Sequence, residues 1–395
     1  MTVRTRFAPS PTGNVHIGNV RVAIYNWLFA RHHQGRFLLR LEDTDRERST
    51  PEAVQTVFEA MRWLGLDHDG EPVYQSRTLD RHLAAAEMLL SKGLAYREDI
   101  GNTGKGECVV FRMPGRDIRF TDRVKGVLTK KAGDMKDLVI VRSNGTPVFH
   151  LANVVDDIDM GVTHVIRGDD HVENTFRHVP LFEALGAEAP VYAHLPMIVN
   201  AQGKPYSKRD GDAYVGDYRD HGYLPETLFN YLALLGWSPG DGREVMSRTE
   251  MIEAFDFHGV QSSPAQLDAR KLEWMNQQHL LRIPTPDYRA QALAHLKASG
   301  VDLSAQPAGY AEAVTDLLRE RVKFLRELPA ASACFFRDDY PVEARAAAKT
   351  LGREGAREQL AALHQAPLSL PDFSPASAGM ASATPLPASE SRRTS

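Results

Sequence analysis

Two short segments carry residues whose types and spacing suit phosphate chemistry. In the first, residues 10–19, Gly13 and Gly18 flank His16 just before a helical pattern begins. Glycine lets the backbone approach an anion closely, and the first turn of a helix directs a positive dipole toward it. His16 adds a side chain that can donate a hydrogen bond to a phosphate oxygen. This segment therefore predicts half of a polyphosphate-binding site.

The second segment, residues 203–209, supplies positive charge. Lys208 is a mobile point charge, and Ser207 and Arg209 add donors on either side of it. Together the two segments would stabilise negative charge that grows on a bound polyphosphate such as ATP during a reaction. Mg²⁺ is expected to accompany such a ligand, since it bridges phosphate oxygens.

The sequence around the first segment alternates between strand and helix patterns. Residues 3–8 and 36–41 have the composition of strands. Between them an apolar stripe follows helical spacing, formed by Val20, Ala23, Ile24, Trp27 and Leu28. Strand, loop, helix and strand open a doubly wound α/β sheet, which binds ligands at the carboxyl ends of its strands. Residues 10–18 and Glu42 would lie at that edge.

Composition narrows the function only a little. The chain has 395 residues, enough for several domains, and its net charge of −4 does not exclude a nucleic-acid partner. Residues 101–150 hold ten Lys/Arg against five Asp/Glu, which indicates either a basic inserted domain or a solvated surface without a partner. Cys108 and Cys334 are far apart, so neither zinc nor a disulfide is expected. No apolar run has the length of a membrane span, which favours a cytoplasmic protein.

Several motifs, in this order, resemble those of one enzyme family. Residues 10–19 resemble the HIGH signature of class I aminoacyl-tRNA synthetases, and residues 203–209 resemble their KMSKS loop. Four more motifs are similar to the bacterial glutamyl-tRNA synthetase version: residues 6–13, 41–45, 153–157 and 167–171. The resemblance covers roughly residues 1–365. It implies ATP-dependent attachment of L-glutamate to tRNA(Glu) through a glutamyl-adenylate.

The resemblance also implies roles for individual residues. Two guanidiniums suit the two carboxylates of glutamate, a carboxylate suits its ammonium, and an unpaired buried Arg167 would disfavour glutamine. The implied glutamate-binding residues are Arg6, Ser10, Glu42, Phe149, Asn153 and Arg167. The implied ATP-binding residues are Pro11, Gly13, His16, Gly18, Asn19, His171, Ser207, Lys208 and Arg209, of which His16 and Lys208 are the expected catalytic pair.

Four positions depart from the family pattern, and one of them is His171, which stands where relatives place residues that stack on adenine and whose imidazole could stack there. Asn19 occupies the fourth HIGH position, where an amide can still donate a hydrogen bond. Pro205 replaces the first lysine of the KMSKS loop, and Lys204 lies one step earlier, so Lys208 is the lysine carried over. Phe149 stands where relatives often have tyrosine, and its ring cannot donate a hydrogen bond to the substrate.

The basic segment is implied to hold the acceptor end of tRNA. Its expected phosphate contacts are Arg112, Arg116, Arg119, Arg123, Lys125, Lys130 and Lys131. The expected partner is tRNA(Glu), with tRNA(Gln) left open, and the expected state is a monomer without zinc.

The predicted fold is a doubly wound, Rossmann-like parallel-sheet catalytic domain with a small α+β insertion, followed by an all-helical C-terminal domain. The predicted segments are catalytic residues 1–74 and 148–202, insertion 75–147, KMSKS-like loop and stem-contact domain 203–283, incomplete helical anticodon-binding domain 284–366, and a disordered tail 367–395. A core-facing stripe is expected at Val314, Leu317, Leu318, Val322 and Leu325.

Two other functions stay open at this point. One is a glutamyl-queuosine tRNA(Asp) synthetase, although the extended region from residue 249 onward disfavours it. The other is a non-catalytic RNA-binding paralogue or truncated form. The acidic run Asp156, Asp157 and Asp159 could suggest a metal site, but we expect a loop and helix-cap cluster.

Overall fold

The computed structural model describes residues 2–45, 48–100, 106–207, 209–342 and 344–368. The strands are β1 (Arg4–Phe7), β2 (Arg36–Leu41), β3 (Val73–Tyr74), β4 (Ala95–Glu98), β5 (Cys108–Phe111), β6 (Ile118–Asp122), β7 (Gly126–Lys130), β8 (Leu138–Val141), β9 (His164–Gly168), β10 (Val191–Leu195), β11 (Ile198–Val199) and β12 (Ala265–Gln266). The helices are α1 (Ile17–His32), α2 (Pro51–Trp63), α3 (Leu79–Ser91), α4 (Phe149–Asp159), α5 (Val172–Ala184), α6 (Val215–Asp220), α7 (Pro225–Leu234), α8 (Arg248–Ala254), α9 (Ala269–Arg282), α10 (Thr285–Ala298), α11 (Tyr310–Leu318), α12 (Leu328–Ala331), α13 (Ala333–Phe336), α14 (Ala344–Thr350) and α15 (Ala356–Leu368).

Parallel strands form the centre of the N-terminal half, as the alternating pattern predicted. β1 pairs with β2, β2 with β3, and β9 with β10, all in parallel register. The backbone N–H of Thr163 donates to the carbonyl oxygen of Arg4 (3.0 Å), which brings the start of β9 alongside β1. Parallel strands need crossover connections, and α1 supplies the one between β1 and β2. The carboxyl ends of β1, β2 and β9 therefore share one edge.

Helix α1 packs into the core on nearly all of its faces. The five residues of its predicted apolar stripe are all buried. His16 precedes the helix, and its Nδ1 accepts a hydrogen bond from the backbone N–H of Gly18 (3.0 Å). This cap satisfies one of the free N–H groups of the first turn and fixes the imidazole at the helix N-terminus.

The basic segment contributes to two sheets. β4, β5 and β8 form an antiparallel sheet. β6 and β7 form a hairpin, and β6 also pairs in parallel with β10 at Asp122 and Tyr192. The hairpin is thereby joined directly to the sheet that carries Arg167.

The C-terminal helices pack around their own apolar core, which includes Leu280, Tyr288, Leu296 and Leu318. The predicted stripe was wrong at Leu317, whose side chain is 55% exposed. Helix α11 ends at Leu318, so Val322 and Leu325 follow a turn instead of extending the same helical face. Residues 369–395 lie outside the described part of the chain, and the predicted disordered tail and domain boundaries stay predictions.

The acidic run at the end of α4 is helical, so the expectation of a loop and helix-cap cluster was wrong. Asp156 and Asp157 are buried, and Asp159 is exposed. Asp157 forms ion pairs with Arg40 and with Arg6 (3.2 Å). Burial alone would raise the pKa of Asp157, but these two guanidiniums hold it below its ordinary value.

Replacing Asp157 by asparagine should destabilise the protein strongly. The change leaves two buried guanidiniums short of a counter-charge, and breaking such a buried pair costs about 3–5 kcal/mol. Urea unfolding followed by circular dichroism measures the loss. The matched control is Asp159→Asn, which removes an exposed pair with Arg81 from the same helix and should leave the unfolding free energy near wild type.

The pH dependence gives a second readout of the same variant. Because folding lowers the pKa of Asp157, its carboxylate contributes stability above the ordinary Asp pKa. That contribution is lost as the pH falls from about 4 through the lower folded-state pKa. The difference in unfolding free energy between wild type and Asp157→Asn should therefore narrow in acid. A difference that stays constant down to pH 2 would contradict the buried-pair explanation.

Candidate active site

A cavity of about 530 Å³ opens at the shared edge of the parallel sheet. It is lined by Arg6, Phe7, Ala8, Pro9, Ser10, Thr12, Asn19, Val22, Glu42, Phe149, Asn153, Arg167, Gly168, Asp170, His171 and Asn174. All six residues predicted to bind glutamate are in this lining, together with two of those predicted to bind ATP. Arg6 and Arg167, 161 positions apart in sequence, thus meet because their strands end at one edge.

Two buried guanidiniums face the cavity. Arg6 lies near the end of β1, and its Nε donates to Asp157 Oδ1 (3.2 Å). Arg167 lies near the end of β9, where its Nε donates to His194 Nε2 (3.2 Å) and its Nη2 donates to Thr175 Oγ1 (2.7 Å). In each guanidinium, Nε therefore bonds to a residue that is not part of the cavity lining. Arg167 Nη2 also donates to the carbonyl oxygen of His171 (3.3 Å), so the nitrogens left to bind an anion, given the contacts of the described residues, are the Nη pair of Arg6 and Nη1 of Arg167.

Arg167 has no carboxylate within 4 Å among the residues that the structure describes. Burial lowers the pKa of this guanidinium to about 10, so it remains charged at neutral pH. A buried, charged group without an ion pair is costly, and an anionic ligand would supply the missing partner. The geometry at Arg167 therefore favours a carboxylate ligand over a neutral amide.

Glu42 provides the opposite charge on the same cavity. It follows β2, and its Oε1 accepts hydrogen bonds from Arg40 Nη2 (3.2 Å) and Asn153 Nδ2 (3.2 Å). Asn153 lies one helical turn after Phe149, so both face the cavity from the first turns of α4. The Phe149 ring lies 6.2 Å from the His171 ring, and the two form an aromatic side of the cavity. This arrangement suits a ligand with a carboxylate, an ammonium and a flat ring.

Sequence reasoning missed the residue that links these charges. Arg40 is fully buried in β2 and bridges Glu42 to Asp157, which in turn holds Arg6. The sequence did carry a signal for Arg40, because a charged side chain between the apolar residues of a strand requires buried partners of opposite charge. Which partners it meets depends on a helix more than 100 residues away.

His16 lies beside the second signature segment. Its Nδ1 accepts from Gly18, so the imidazole proton is on Nε2. Burial lowers the pKa of His16, and a hydrogen bond with the backbone of Tyr206 opposes that effect. Since Tyr206 is two residues before Lys208, the two signatures meet in the fold. A Cβ at Gly18 would lie 3.2 Å from Nδ1, which explains glycine there.

The second signature forms a loop next to β11. Asp210 organises it by accepting hydrogen bonds from the backbone N–H and hydroxyl of Ser207 (both 2.9 Å) and from Asn200 Nδ2 (2.7 Å). Arg209 is exposed. Lys208 lies outside the described residues. Of the other residues predicted to bind ATP, the cavity lining contains Asn19 and His171 but not Pro11, Gly13, His16, Gly18, Ser207 or Arg209.

The residues predicted to bind tRNA are not all equally available. Four of the seven form ion pairs with carboxylates: Lys125 with Asp169, Lys130 with Glu173, Arg116 with Glu183 and Lys131 with Asp117. The Arg112 guanidinium lies over the Tyr96 ring, 4.3 Å from its centroid. Arg119 and Arg123 are exposed, and neither has a carboxylate partner in the described residues.

The described residues contain neither a metal-binding cluster nor a membrane-spanning helix. No group of three His, Cys, Asp or Glu side chains could hold a metal ion, counting only residues with described positions. Over that same part of the chain, no helix has the length and apolar character needed to cross a membrane.

Comparisons with known proteins agree with this geometry. A family model for the catalytic domain of class I tRNA synthetases (E and Q) matches residues 2–103 and 98–274, and one for an anticodon binding domain matches residues 287–382. Glutamate–tRNA ligase 1 of Alkalilimnicola ehrlichii is 44% identical over 385 residues, covering 89% of this chain and 81% of the relative. Glutamate–tRNA ligase of Burkholderia multivorans is 43% identical, covering 86% of this chain and 80% of the relative.

A solved structure is similar across most of the chain. It is a glutamate tRNA ligase from Elizabethkingia meningosepticum in complex with its amino acid, with a TM-score of 0.84 and 31% sequence identity. The match covers 94% of this chain and 87% of that one. The predicted fold class is confirmed by these matches together with the parallel sheet and the helical C-terminal half. The chain belongs to the class I tRNA synthetases of the E and Q group, in the glutamate–tRNA ligase family.

Proposed function

We propose that this protein attaches L-glutamate to tRNA(Glu) at the expense of ATP. One glutamate carboxylate oxygen attacks the α-phosphorus of ATP, the bond to the β-phosphate breaks, and diphosphate leaves. A hydroxyl of the terminal adenosine of tRNA then attacks the acyl carbon, and AMP leaves as the hydroxyl gives up its proton. The observation that carries this proposal is the convergence of Arg6, Arg167 and Glu42 on one cavity at the sheet edge.

The proposed site residues have two roles, orientation of the substrate and stabilisation of charge. Arg6 and Arg167 bind the two carboxylates, and Glu42 binds the ammonium, which together orient the amino acid. His16 and the N-terminus of α1 stabilise the phosphates through fixed dipoles. Lys208 adds a mobile positive charge from the loop that contacts His16 through Tyr206. Mg²⁺ enters with ATP as part of the substrate.

The function is tested by aminoacylation with radiolabelled glutamate and separately purified tRNA(Glu), tRNA(Gln) and tRNA(Asp). Charging of tRNA(Glu) supports the proposal, and charging of tRNA(Gln) as well would widen its substrate range. Charging of tRNA(Asp) alone would favour the queuosine-modifying alternative. Folded protein that charges none of the three would favour a non-catalytic RNA-binding role.

The basic segment is proposed to position the acceptor end of tRNA. Of its seven predicted phosphate contacts, Arg119 and Arg123 are the two that the described structure shows neither in an ion pair nor over an aromatic ring. Reversing both to glutamate should weaken tRNA binding. It should also lower the slope of log affinity against log salt concentration by about 2, since each lost phosphate contact removes roughly one released counterion. Filter binding at several salt concentrations measures both quantities. The control is Arg62→Glu, an exposed charge reversal on α2.

Comparing the Arg119→Glu/Arg123→Glu protein with Arg62→Glu separates the loss of specific phosphate contacts from an effect of net charge. Because Arg62→Glu changes the net charge half as much as the double variant does, a loss of log affinity about half as large would mean that net charge alone controls affinity. Unchanged affinity and salt slope in the Arg119→Glu/Arg123→Glu protein would remove this face from the tRNA site.

We expect the protein to be cytoplasmic and monomeric when it carries out this activity.

A further inference from the structure

Behind the cavity, a buried polar chain runs from Arg167 to a carboxylate in the basic segment. Arg167 Nε donates to His194 Nε2 (3.2 Å), and His194 Nδ1 lies 2.6 Å from Asp122 Oδ2. His194 and Asp122 are 0% and 2% exposed. Thr175 Oγ1 is within hydrogen-bond distance of both Arg167 Nη2 (2.7 Å) and His194 Nε2 (3.0 Å). Arg167 Nη2 also donates to the carbonyl oxygen of His171 (3.3 Å), a residue of the cavity lining, whereas His194, Asp122 and Thr175 are not part of that lining.

The direction of each hydrogen bond follows from the donor inventory. A guanidinium can only donate, so His194 Nε2 must be an acceptor. The single proton of the neutral imidazole is therefore on Nδ1, and it is donated to Asp122. Burial favours this neutral form because it lowers the pKa of His194, against the opposing hydrogen bond with Asp122. These hydrogen bonds therefore run in one direction. The charged Arg167 guanidinium donates to the neutral His194 imidazole, which donates to the charged Asp122 carboxylate.

Further hydrogen bonds hold the Asp122 carboxylate in place at the end of this series. Its carboxylate also accepts backbone N–H bonds from Val124 (2.9 Å), Lys125 (2.8 Å) and His194 (3.1 Å). Burial alone would raise the pKa of Asp122, but the hydrogen bonds from His194 and the backbone lower it below its ordinary value. The position of this carboxylate is therefore fixed by the β6–β7 turn and by β10 together.

Contacts with an aromatic ring further restrict the positions of the His194 imidazole and the Arg167 guanidinium. The imidazole of His194 stacks on the Tyr192 ring, with centroids 5.9 Å apart and planes 10° apart. The Arg167 guanidinium lies over that same ring, 5.6 Å from its centroid. A direct carboxylate partner would occupy the Nη nitrogens, whereas the imidazole occupies only Nε. With Nη2 bonded to Thr175 and His171, the arrangement fixes the guanidinium and leaves Nη1, which has no hydrogen bond to a described residue, for a ligand.

We propose that Asp122 and His194 are positioning residues that fix Arg167 in the orientation that receives a substrate carboxylate. This inference rests on the proposed function, because it concerns the same glutamate site. It assigns a role in amino-acid binding to Asp122, a residue of the segment otherwise expected to contact tRNA. His194 acts through Arg167 and does not touch the substrate, so its loss should affect glutamate binding and leave ATP binding intact.

The test compares His194→Phe with His194→Gln in the full-length protein. Phenylalanine retains a ring against Tyr192 but removes both nitrogens. Glutamine can accept from Arg167 Nε through its carbonyl oxygen and donate to Asp122 through its amide. We expect His194→Phe to raise KM for glutamate by about tenfold, the size of one hydrogen bond to a charged group. KM for ATP should stay within twofold, and His194→Gln should recover most of the loss.

Several outcomes would overturn the proposal. They are a folded His194→Phe protein with a wild-type KM for glutamate, a parallel rise in both KM values, or no recovery in His194→Gln. If His194→Phe fails to fold, Thr175→Val removes the shorter of the two Nη2 hydrogen bonds and the contact of Thr175 with His194 by a smaller change, and it should raise KM for glutamate alone. An unchanged KM for glutamate in that folded variant would equally contradict the proposal.

A structural readout separates this proposal from the proposed function. In a crystal structure of His194→Phe, the Arg167 guanidinium should leave its position beside Thr175. An unchanged guanidinium would reject the positioning role whatever the enzyme's activity. A wild-type protein that binds no glutamate and charges no tRNA would reject the proposed function, while the guanidinium shift would still report on the positioning role.

Discussion

Replacing Arg167 by glutamine should raise KM for glutamate about 10²–10³-fold, since removing one partner of a buried charge pair costs 2–5 kcal/mol or more. The substrate carboxylate would lose the guanidinium that has no other carboxylate partner in the described structure. Because the proposal places Arg167 on the amino acid and not on the nucleotide, KM for ATP should change little. Steady-state aminoacylation with each substrate varied in turn measures both constants.

Two further variants sharpen this result. Arg167→Lys keeps the charge but loses the planar fork, so it should bind glutamate with intermediate affinity. Arg62→Gln, on the exposed face of α2, controls for the loss of an arginine elsewhere and should behave as wild type. If Arg167→Gln retained KM for glutamate within threefold of wild type, the cavity would not be the glutamate site described here.

Replacing Lys208 by alanine should slow adenylate formation about 10²–10³-fold, the range found when one preorganised charge-stabilising group is removed. The effect should fall on kcat more than on KM for glutamate, because the ammonium acts on charge that grows on the phosphates in the transition state. ATP–diphosphate exchange in the presence of tRNA(Glu) measures this step directly.

The matched control for this variant is Lys204→Ala in the same loop. Lys204 is exposed and lies one step before the position that Pro205 occupies in the signature. We expect its loss to have a small effect. If Lys204→Ala were the inactive variant and Lys208→Ala the active one, the alignment of the loop with the signature would be wrong. Near-normal exchange in both would remove the loop from catalysis.

The sequence predicted the cavity well because strand ends and motifs coincide. Arg6, Glu42 and Arg167 each lie at the carboxyl end of a short apolar run, and parallel strands bring such ends together. The helix between residues 17 and 32 was equally predictable, since its apolar stripe and its preceding glycines define both its buried faces and its start. Local pattern and global topology agree at these positions.

What could not be predicted was the set of partners behind the cavity. Arg40 appears in sequence as one charge within an apolar strand, and its counter-charge comes from Asp157, 117 positions later. Asp122 lies in a basic segment, and nothing local shows that it anchors His194 of a neighbouring strand. Pairings of this kind depend on which strands become neighbours.

The account depends most on one cavity binding the glutamyl group beside the nucleotide. A crystal structure with a non-hydrolysable glutamyl-adenylate analogue tests this directly. We expect the free carboxylate of the analogue on Arg6 or Arg167, its ammonium on Glu42, and its phosphate mimic beside His16 with Lys208 closing over it. An analogue bound elsewhere, or bound with its glutamyl group away from both guanidiniums, would contradict the account.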